Sequence, residues 1–247
     1  MRLTVLGCAG TFPGPESPCS SYLLEHDGFR LLVDMGNGAL GNLQRCGDLL
    51  GVDAVVLSHL HADHCLDLVS YAYARHYHPG GPAPRIPVYG PEGTERRLNQ
   101  VYGAEGKGLG EVYDFRPARP GTLDLGPFEV TLARVNHPVE CYGVRVQAGG
   151  RAFAYSADTG ESDALVELAR DADLFLCEAS FLDGTKHPED VHLTGRQAGE
   201  HATRAGARWL LLTHLVAWGD EQQSLIDAAS TYTGRLELAR ACATYDI

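Results

Sequence analysis

Positive charge is scarce in this chain of 247 residues. It carries 20 Lys and Arg against 32 Asp and Glu, for a formal net charge of −12, and only Lys107 and Lys186 are lysines. A protein that grips long nucleic acid shows a basic face, because phosphate neutralisation drives that binding. The balance here argues against such a partner. The shortage of lysine reads as genomic composition bias rather than function. Long apolar runs are also missing, so no segment reaches membrane-spanning length and no membrane partner is expected. The opening M-R-L-T-V-L-G-C-A-G is too short for a signal peptide and reads as a first strand. The seven cysteines (Cys8, Cys19, Cys46, Cys65, Cys141, Cys177 and Cys242) are odd in number and contain no C-x-x-C pair. They read as reduced thiols, mostly small buried residues, in a soluble cytoplasmic protein. The glycine-rich stretch Gly7–Ser20 lacks the G-x-x-x-x-G-K-[ST] pattern of a phosphate loop and reads as a surface loop near the mouth of a site.

Metal-ligand residue types are abundant in one place. Ser58–Leu66 reads S-H-L-H-A-D-H-C-L, with His59, His61, Asp63 and His64 inside six positions. The apolar run Ala54-Val55-Val56-Leu57 before it reads as a buried strand, and a helix is expected from near His64 to His78. The cluster then sits on a strand-to-helix loop. Imidazole and carboxylate suit Zn, Mn or Fe. Alternate residues His59 and His61 can point one way from an extended segment, with Asp63 and His64 turned to a neighbouring point. That layout suits two metals rather than one.

Along the chain, Asp27-Gly28 and Gly149-Gly150 mark hairpins. Leu123–Val135 reads as two strands broken at Gly126-Pro127. Helices are expected over Leu40–Cys46, Pro91–Tyr102 with proline at its start, Ser162–Arg170 and Glu221–Thr231. Thr194 with Gln197 fits a capping box for a helix to Ala205. Gly103–Gly110 is expected to be mobile, and Leu236–Ala239 to be the final strand. No linker, low-complexity run or short repeat divides the chain. Strands alternate with helices in both halves, which predicts one domain over residues 1–247, of α/β class, with two sheets inside and helices on both outer faces.

Three more ligand types follow apolar strands: His137 in V-N-H-P, Asp158 in Y-S-A-D-T-G and His214 in L-L-T-H-L. With the first cluster they supply two three-ligand sites sharing a carboxylate.

These motifs carry a resemblance. S-H-L-H-A-D-H is similar to the H-x-H-x-D-H motif of the metallo-β-lactamase superfamily, and His137, Asp158 and His214 match its later motifs. The second half resembles the ribonuclease Z branch through C-E-A-S-F at Cys177, V-H-L-T-G-R-Q-A-G at Val191 and L-L-L-T-H at Leu210. Within that branch the chain resembles actinobacterial cyclic-nucleotide phosphodiesterases, through V-L-G-C-A-G at Val5, G-P-E-S-P at Gly14, Y-S-A-D-T-G at Tyr155 and K-H-P-E-D-V-H-L-T-G at Lys186.

The resemblance implies an αβ/βα sandwich of two mixed sheets. It implies that His59, His61 and His137 hold one divalent metal, that Asp63, His64 and His214 hold a second, and that Asp158 bridges them. Zn is the usual occupant, with Mn or Fe compatible with the same donors. Two metals roughly 3.5–4 Å apart can hold a bridging hydroxide and clamp a phosphodiester for in-line attack. Asp63 is then placed to orient the water or take its proton. His192 matches the branch's additional catalytic histidine and is the expected general acid, with Glu178 as its carboxylate partner.

The expected reaction is hydrolysis of a small phosphodiester, 3′,5′-cyclic AMP or GMP, to the 5′-nucleotide. The rivals are tRNA 3′-end processing, 2′,3′-cyclic nucleotide hydrolysis, thioester or lactam hydrolysis, and a non-catalytic nucleotide or RNA binder. In ribonuclease Z a tRNA-binding arm is expected between the third-motif histidine and the bridging aspartate. Here Asp158 follows His137 by 21 residues, filled by one hairpin, so tRNA is not the expected substrate. A homodimer is a family expectation. His76 and His78 read as helix-end residues. His187 is a candidate substrate contact, His26 and His201 read as surface positions, and Arg196 as a solvated charge.

Overall fold

The computed structural model describes residues 1–103 and 108–247. The expected mobility of Gly103–Gly110 falls largely on residues 104–107, outside the described residues. In order, the elements are β1 (Arg2–Gly7), β2 (Ala9–Gly10), β3 (Ser21–His26), β4 (Phe29–Val33), α1 (Ala39–Cys46), β5 (Ala54–Val56), α2 (Ala62–Cys65), α3 (Asp67–His76), β6 (Ile86–Gly90), α4 (Thr94–Tyr102) and β7 (Tyr113–Pro117). There follow β8 (Gly121–Leu125), β9 (Phe128–Arg134), β10 (Tyr142–Ala148), β11 (Arg151–Tyr155), α5 (Asp163–Leu168), β12 (Leu174–Glu178), α6 (Gly195–Ala205), β13 (Trp209–Thr213), β14 (Leu215–Val216), α7 (Glu221–Ala229), β15 (Arg235–Leu238) and β16 (Thr244–Asp246).

Two seven-stranded sheets form, in the orders β16-β1-β3-β4-β5-β6-β7 and β15-β13-β12-β11-β10-β9-β8. Both are mixed. The first is antiparallel up to β4 and parallel beyond it. The second is parallel from β15 to β11 and antiparallel beyond.

The period of two in side-chain direction sorts each strand between two cores. Tyr22 and Leu24 of β3, Leu31 and Val33 of β4, and Ala54 and Val56 of β5 face the second sheet, where they meet Phe128, Val130, Phe153 and Tyr155. Their neighbours Leu23, Leu32 and Val55 face outward and are covered by Leu43 of α1, Leu68 and Tyr71 of α3 and Leu98 of α4. On the far side α5, α6 and α7 cover the second sheet with Leu165, Ala198, Ala202 and Ala228. This is the four-layer α/β arrangement of the metallo-β-lactamase fold. The runs L-L-V and A-V-V are apolar at every position because helices cover one face and a sheet the other.

The Asp27-Gly28 hairpin takes positive φ at both residues (47° and 80°), the pattern of the two-residue turn that matches strand twist. The capping box at Thr194 and Gln197 is present. Several expectations need correction. Helix α4 starts at Thr94 rather than Pro91, because Gly93 before it takes a left-handed φ of 85°. The final strand is β16, antiparallel to β1; with three residues, T-Y-D, it is too short to show a period. Strand β7, Y-D-F-R-P, is half polar and gave no signal.

His201 is buried, not a surface residue. Its Nδ1–H donates to Gln197 O (2.8 Å) and its Nε2 accepts from Ser162 N (3.1 Å), which ties the start of α5 to α6. Burial holds its pKa below the ordinary value.

Cys46 and Cys242 form a disulfide, which corrects the reading of seven free thiols. Their Cα atoms are 5.8 Å apart, within disulfide reach, yet they are separated by 196 residues. Nothing local marks such a pair. The other five cysteines are free.

Candidate metal centre

The site forms where strands end. Strands β4, β5, β9, β11, β12 and β13 lead into Asp34, Ser58-His59, His137, Asp158, Glu178 and His214, with Glu178 the last residue of its strand. Parallel pairing of β4 with β5 and of β11 with β12 and β13 aligns their carboxyl ends, where open α/β sheets bind ligands. Strand β9 is antiparallel to β10, which is antiparallel to β11, so β9 ends on the same side as β11.

Two groups of donors converge there. One atom each from His59, His61, His137 and Asp158 lies within 4.8 Å of the others, and so does one each from Asp63, His64, Asp158 and His214. Asp158 belongs to both. In the first group His61 Nδ1 is 3.1 Å from His59 Nε2 and 3.3 Å from His137 Nε2. In the second, His214 Nε2 is 3.2 Å from His64 Nε2 and 3.2 Å from Asp63 Oδ2.

The outer partners set which nitrogen of each ring faces inward. Ser58 Oγ–H donates to Asp34 Oδ2 (2.7 Å) and accepts from His59 Nδ1–H (3.0 Å), leaving His59 Nε2 free. His64 Nδ1–H donates to Asp34 Oδ2 (2.8 Å), and His137 Nδ1–H to Val191 O (3.0 Å). His214 Nδ1–H donates to Ser180 Oγ (2.7 Å).

A divalent cation fits these residues. Asp158 Oδ1 is buried with no hydrogen-bond partner, 3.2 Å from His64 Nε2 and 3.3 Å from His214 Nε2. A buried carboxylate oxygen left unpaired is costly, and a cation held by the surrounding imidazoles compensates it. Burial holds His59, His61 and His137 below the ordinary histidine value, so each is a neutral ring with a lone pair to give. At Asp63 burial acts to raise the carboxyl. The hydrogen bond from His214 and the charges of His64 and His214 outweigh it, and the group lies well below the usual carboxylate range.

Asp34 was missed by sequence reasoning. Fully buried, with a left-handed φ of 58°, it also accepts from Ser58 N (2.7 Å) and Tyr155 OH (3.1 Å). The available signal was a polar residue directly after the apolar strand β4, the same signal that marks Asp158 and His214.

The Gly7–Ser20 loop reaches the centre. Thr11 N donates to Asp63 Oδ2 (2.9 Å). A Cβ on Gly10 would lie 2.5 Å from the His214 carbonyl oxygen, and one on Gly36 only 1.9 Å from that of Asp63. Backbone approaches this close admit only glycine.

Glu178 and His192 meet beside the second donor group. Glu178 Oε1 accepts from His192 Nδ1 (2.9 Å) and from Thr159 N (2.7 Å), while Oε2 accepts from Ser180 Oγ (3.0 Å). Glu178 is fully buried, not a surface carboxylate. The His192 ring centroid lies 5.3 Å from that of His214 and 5.7 Å from that of His137. Burial lowers its pKa, but the charge and hydrogen bond of Glu178 outweigh burial and raise it to about 9.

His187 stacks on Phe181 (4.6 Å), whose ring meets His192 edge-on (5.1 Å). His76, His78 and His187 are in neither donor group. Arg196 pairs with Asp183 at the surface (2.8 Å).

Residues 29–215 match a family model described as a beta-lactamase superfamily domain. The chain belongs to the beta-lactamase superfamily. Among its relatives, the uncharacterized protein Rv1339 of Mycobacterium tuberculosis is 42% identical over 253 residues, covering 100% of this chain and 92% of that protein. The probable metallo-hydrolase YhfI of Bacillus subtilis is 32% identical over 244 residues, covering 98% of each. The crystal structure of YhfI superposes with a TM-score of 0.89 over 99% of this chain and 98% of the other, at 29% identity. A ribonuclease Z of Halorubrum lacusprofundi is 28% identical over 269 residues, covering 87% of this chain and 86% of that protein. With its His/Asp donor groups, this beta-lactamase superfamily member is a metal-dependent hydrolase. Among the described residues, no helix is long and apolar enough to cross a membrane.

Proposed function

We propose that the chain is a phosphodiesterase that opens small cyclic phosphodiesters, 3′,5′-cyclic AMP or GMP, to the 5′-nucleotide. The observation that carries this reading is the Glu178–His192 hydrogen bond of 2.9 Å beside the metal donors. An alkoxide leaving group needs a proton, and Glu178 occupies Nδ1 of His192, so Nε2–H is the nitrogen left to donate it. With a pKa raised to about 9, the ring is protonated at neutral pH.

His59, His61 and His137 would hold one divalent ion and Asp63, His64 and His214 a second, with Asp158 between them. When bound, divalent ions supply charge to the phosphoryl oxygens and lower the pKa of water. The chain does the rest. Asp63, whose Oδ2 accepts from Thr11 N, orients the attacking water and takes its proton. The water oxygen bonds to phosphorus, the bond from phosphorus to O3′ breaks, and His192 delivers its proton to O3′. Buried Glu178 keeps the imidazole oriented and charged before transfer.

Two features favour a small diester over tRNA. The interval from His137 to Asp158 is occupied by the β10–β11 hairpin, and the net charge is −12. The test is a parallel assay of metal-loaded protein on 3′,5′-cyclic AMP, 2′,3′-cyclic AMP and precursor tRNA. Turnover of the first, with P–O3′ cleavage, is expected. Efficient tRNA cleavage without cyclic nucleotide turnover would overturn the reading.

A further inference from the structure

Phe12 and Trp218 form an aromatic pair at the surface, with ring centroids 4.6 Å apart and planes at 38°. Trp218 is 80% exposed. An indole left in water contributes little to the fold, because its apolar area stays hydrated.

The pairing follows from a short parallel ladder. Strand β2 runs beside β14, with Ala9 opposite Leu215 and Gly10 opposite Val216. The ladder brings two loops out side by side, with Phe12 two residues past Gly10 and Trp218 two past Val216. Both loops turn back at once, through Phe12 N to Gly10 O (2.7 Å) and Gly219 N to Val216 O (2.7 Å). The ladder lies on the metal centre. His214 directly precedes β14, Gly10 passes against the His214 carbonyl, and Thr11 N holds Asp63. The exposed indole is therefore attached, on both of its supporting strands, to residues of the donor groups.

We propose that Trp218, backed by Phe12, is the platform on which the base of a nucleotide substrate stacks while its phosphodiester occupies the centre. The inference rests on the phosphodiesterase reading above and adds how the base is recognised. Stacking needs only a π-face, so the platform accepts adenine and guanine alike and holds the smaller pyrimidines less well. Phe12 restrains the indole and lowers the cost of ordering it on binding.

The test uses metal-loaded full-length protein and two probes, 3′,5′-cyclic AMP and the base-free 1-O-methylribose 3′,5′-cyclic phosphate. Cyclic AMP is expected to quench the fluorescence of Trp218, with Trp209, which is buried, as the internal reference. Trp218→Phe should remove that quenching but keep turnover. Trp218→Ala should raise KM for cyclic AMP about tenfold or more while kcat and the base-free substrate change little, on the stacking energies usual for bases on aromatic side chains. Equal effects of Trp218→Ala on both substrates would overturn the platform, as would unchanged KM. A change of oligomeric state in Trp218→Ala without a change in base selectivity would also overturn it, and assign the patch to a second copy of the chain. Failure of the parent reading looks different: nucleotides still quench Trp218, but no cyclic diester is opened.

Discussion

Asp34 Oδ2 and His64 Nδ1 are 2.8 Å apart, and both side chains are fully buried. The same carboxylate holds Ser58, which holds His59, so one residue at the end of β4 orients a histidine in each donor group. Asp34→Asn keeps the shape but loses the charge and an acceptor. It is expected to weaken metal binding by about 10- to 100-fold, the usual cost of losing such a partner. Metal content after dialysis against a chelator of known affinity checks this; unchanged retention would refute it.

The Glu178–His192 pair predicts a pH profile. His192 donates only when protonated, and its pKa is raised to about 9. Activity on a cyclic nucleotide should therefore hold through neutral pH and fall as pH rises through about 9. Glu178→Gln removes the charge that raises it, so the alkaline limb should move toward the ordinary histidine value of about 6.5.

His192→Ala is expected to lower kcat on 3′,5′-cyclic AMP by about 10²- to 10⁴-fold, the range for a lost general acid. The loss should be much smaller on bis(p-nitrophenyl) phosphate, whose leaving group needs no proton. Equal losses on the two substrates would show that His192 serves structure instead.

Gly10→Ala places a methyl 2.5 Å from the His214 carbonyl oxygen. Backbone must shift to relieve it, at a cost of about 1–3 kcal/mol. Both thermal stability and metal retention should drop, measured by melting with and without added divalent ion. A substitution that leaves both intact would contradict the close approach.

The Cys46–Cys242 disulfide closes most of the chain into one loop. Crosslinks over long loops restrict the unfolded chain and typically add about 2–4 kcal/mol. Denatured protein should titrate five thiols before reduction and seven after, and Cys46→Ser should lower the melting temperature. Seven thiols before reduction would disprove the bond.

Some of the architecture was legible because its code is local. The apolar runs at β4, β5, β12 and β13 announce strands covered on both faces, and the cluster from His59 to His64 follows one of them within a few positions. His137, Asp158 and His214 were legible for the same reason: each is a polar ligand type placed just past an apolar strand. Asp34 carries that signal too, but an aspartate after a strand also suits a plain turn, and only its partners distinguish the two roles. Strand β16 and His201 were misjudged where pattern fails. Three residues cannot show a period, and a histidine on a helix is buried or exposed according to what packs on it.

By itself the sequence determined the chemistry available: seven residues of metal-ligand type after strands or in the His59–His64 segment, a helix-capping box, a shortage of basic residues and a short interval between His137 and Asp158. The donor grouping around Asp158 and the Glu178–His192 pair were expected from the family resemblance, whereas tertiary structure alone decided that Asp34 serves His59 and His64 and that Glu178 also reaches the Ser180–His214 contact. It also brought Cys46 to Cys242 and Phe12 to Trp218. The physical reason is that these relationships depend on strand order and register. Sheet pairing sets both through contacts between segments far apart in the chain, and no local spacing records them.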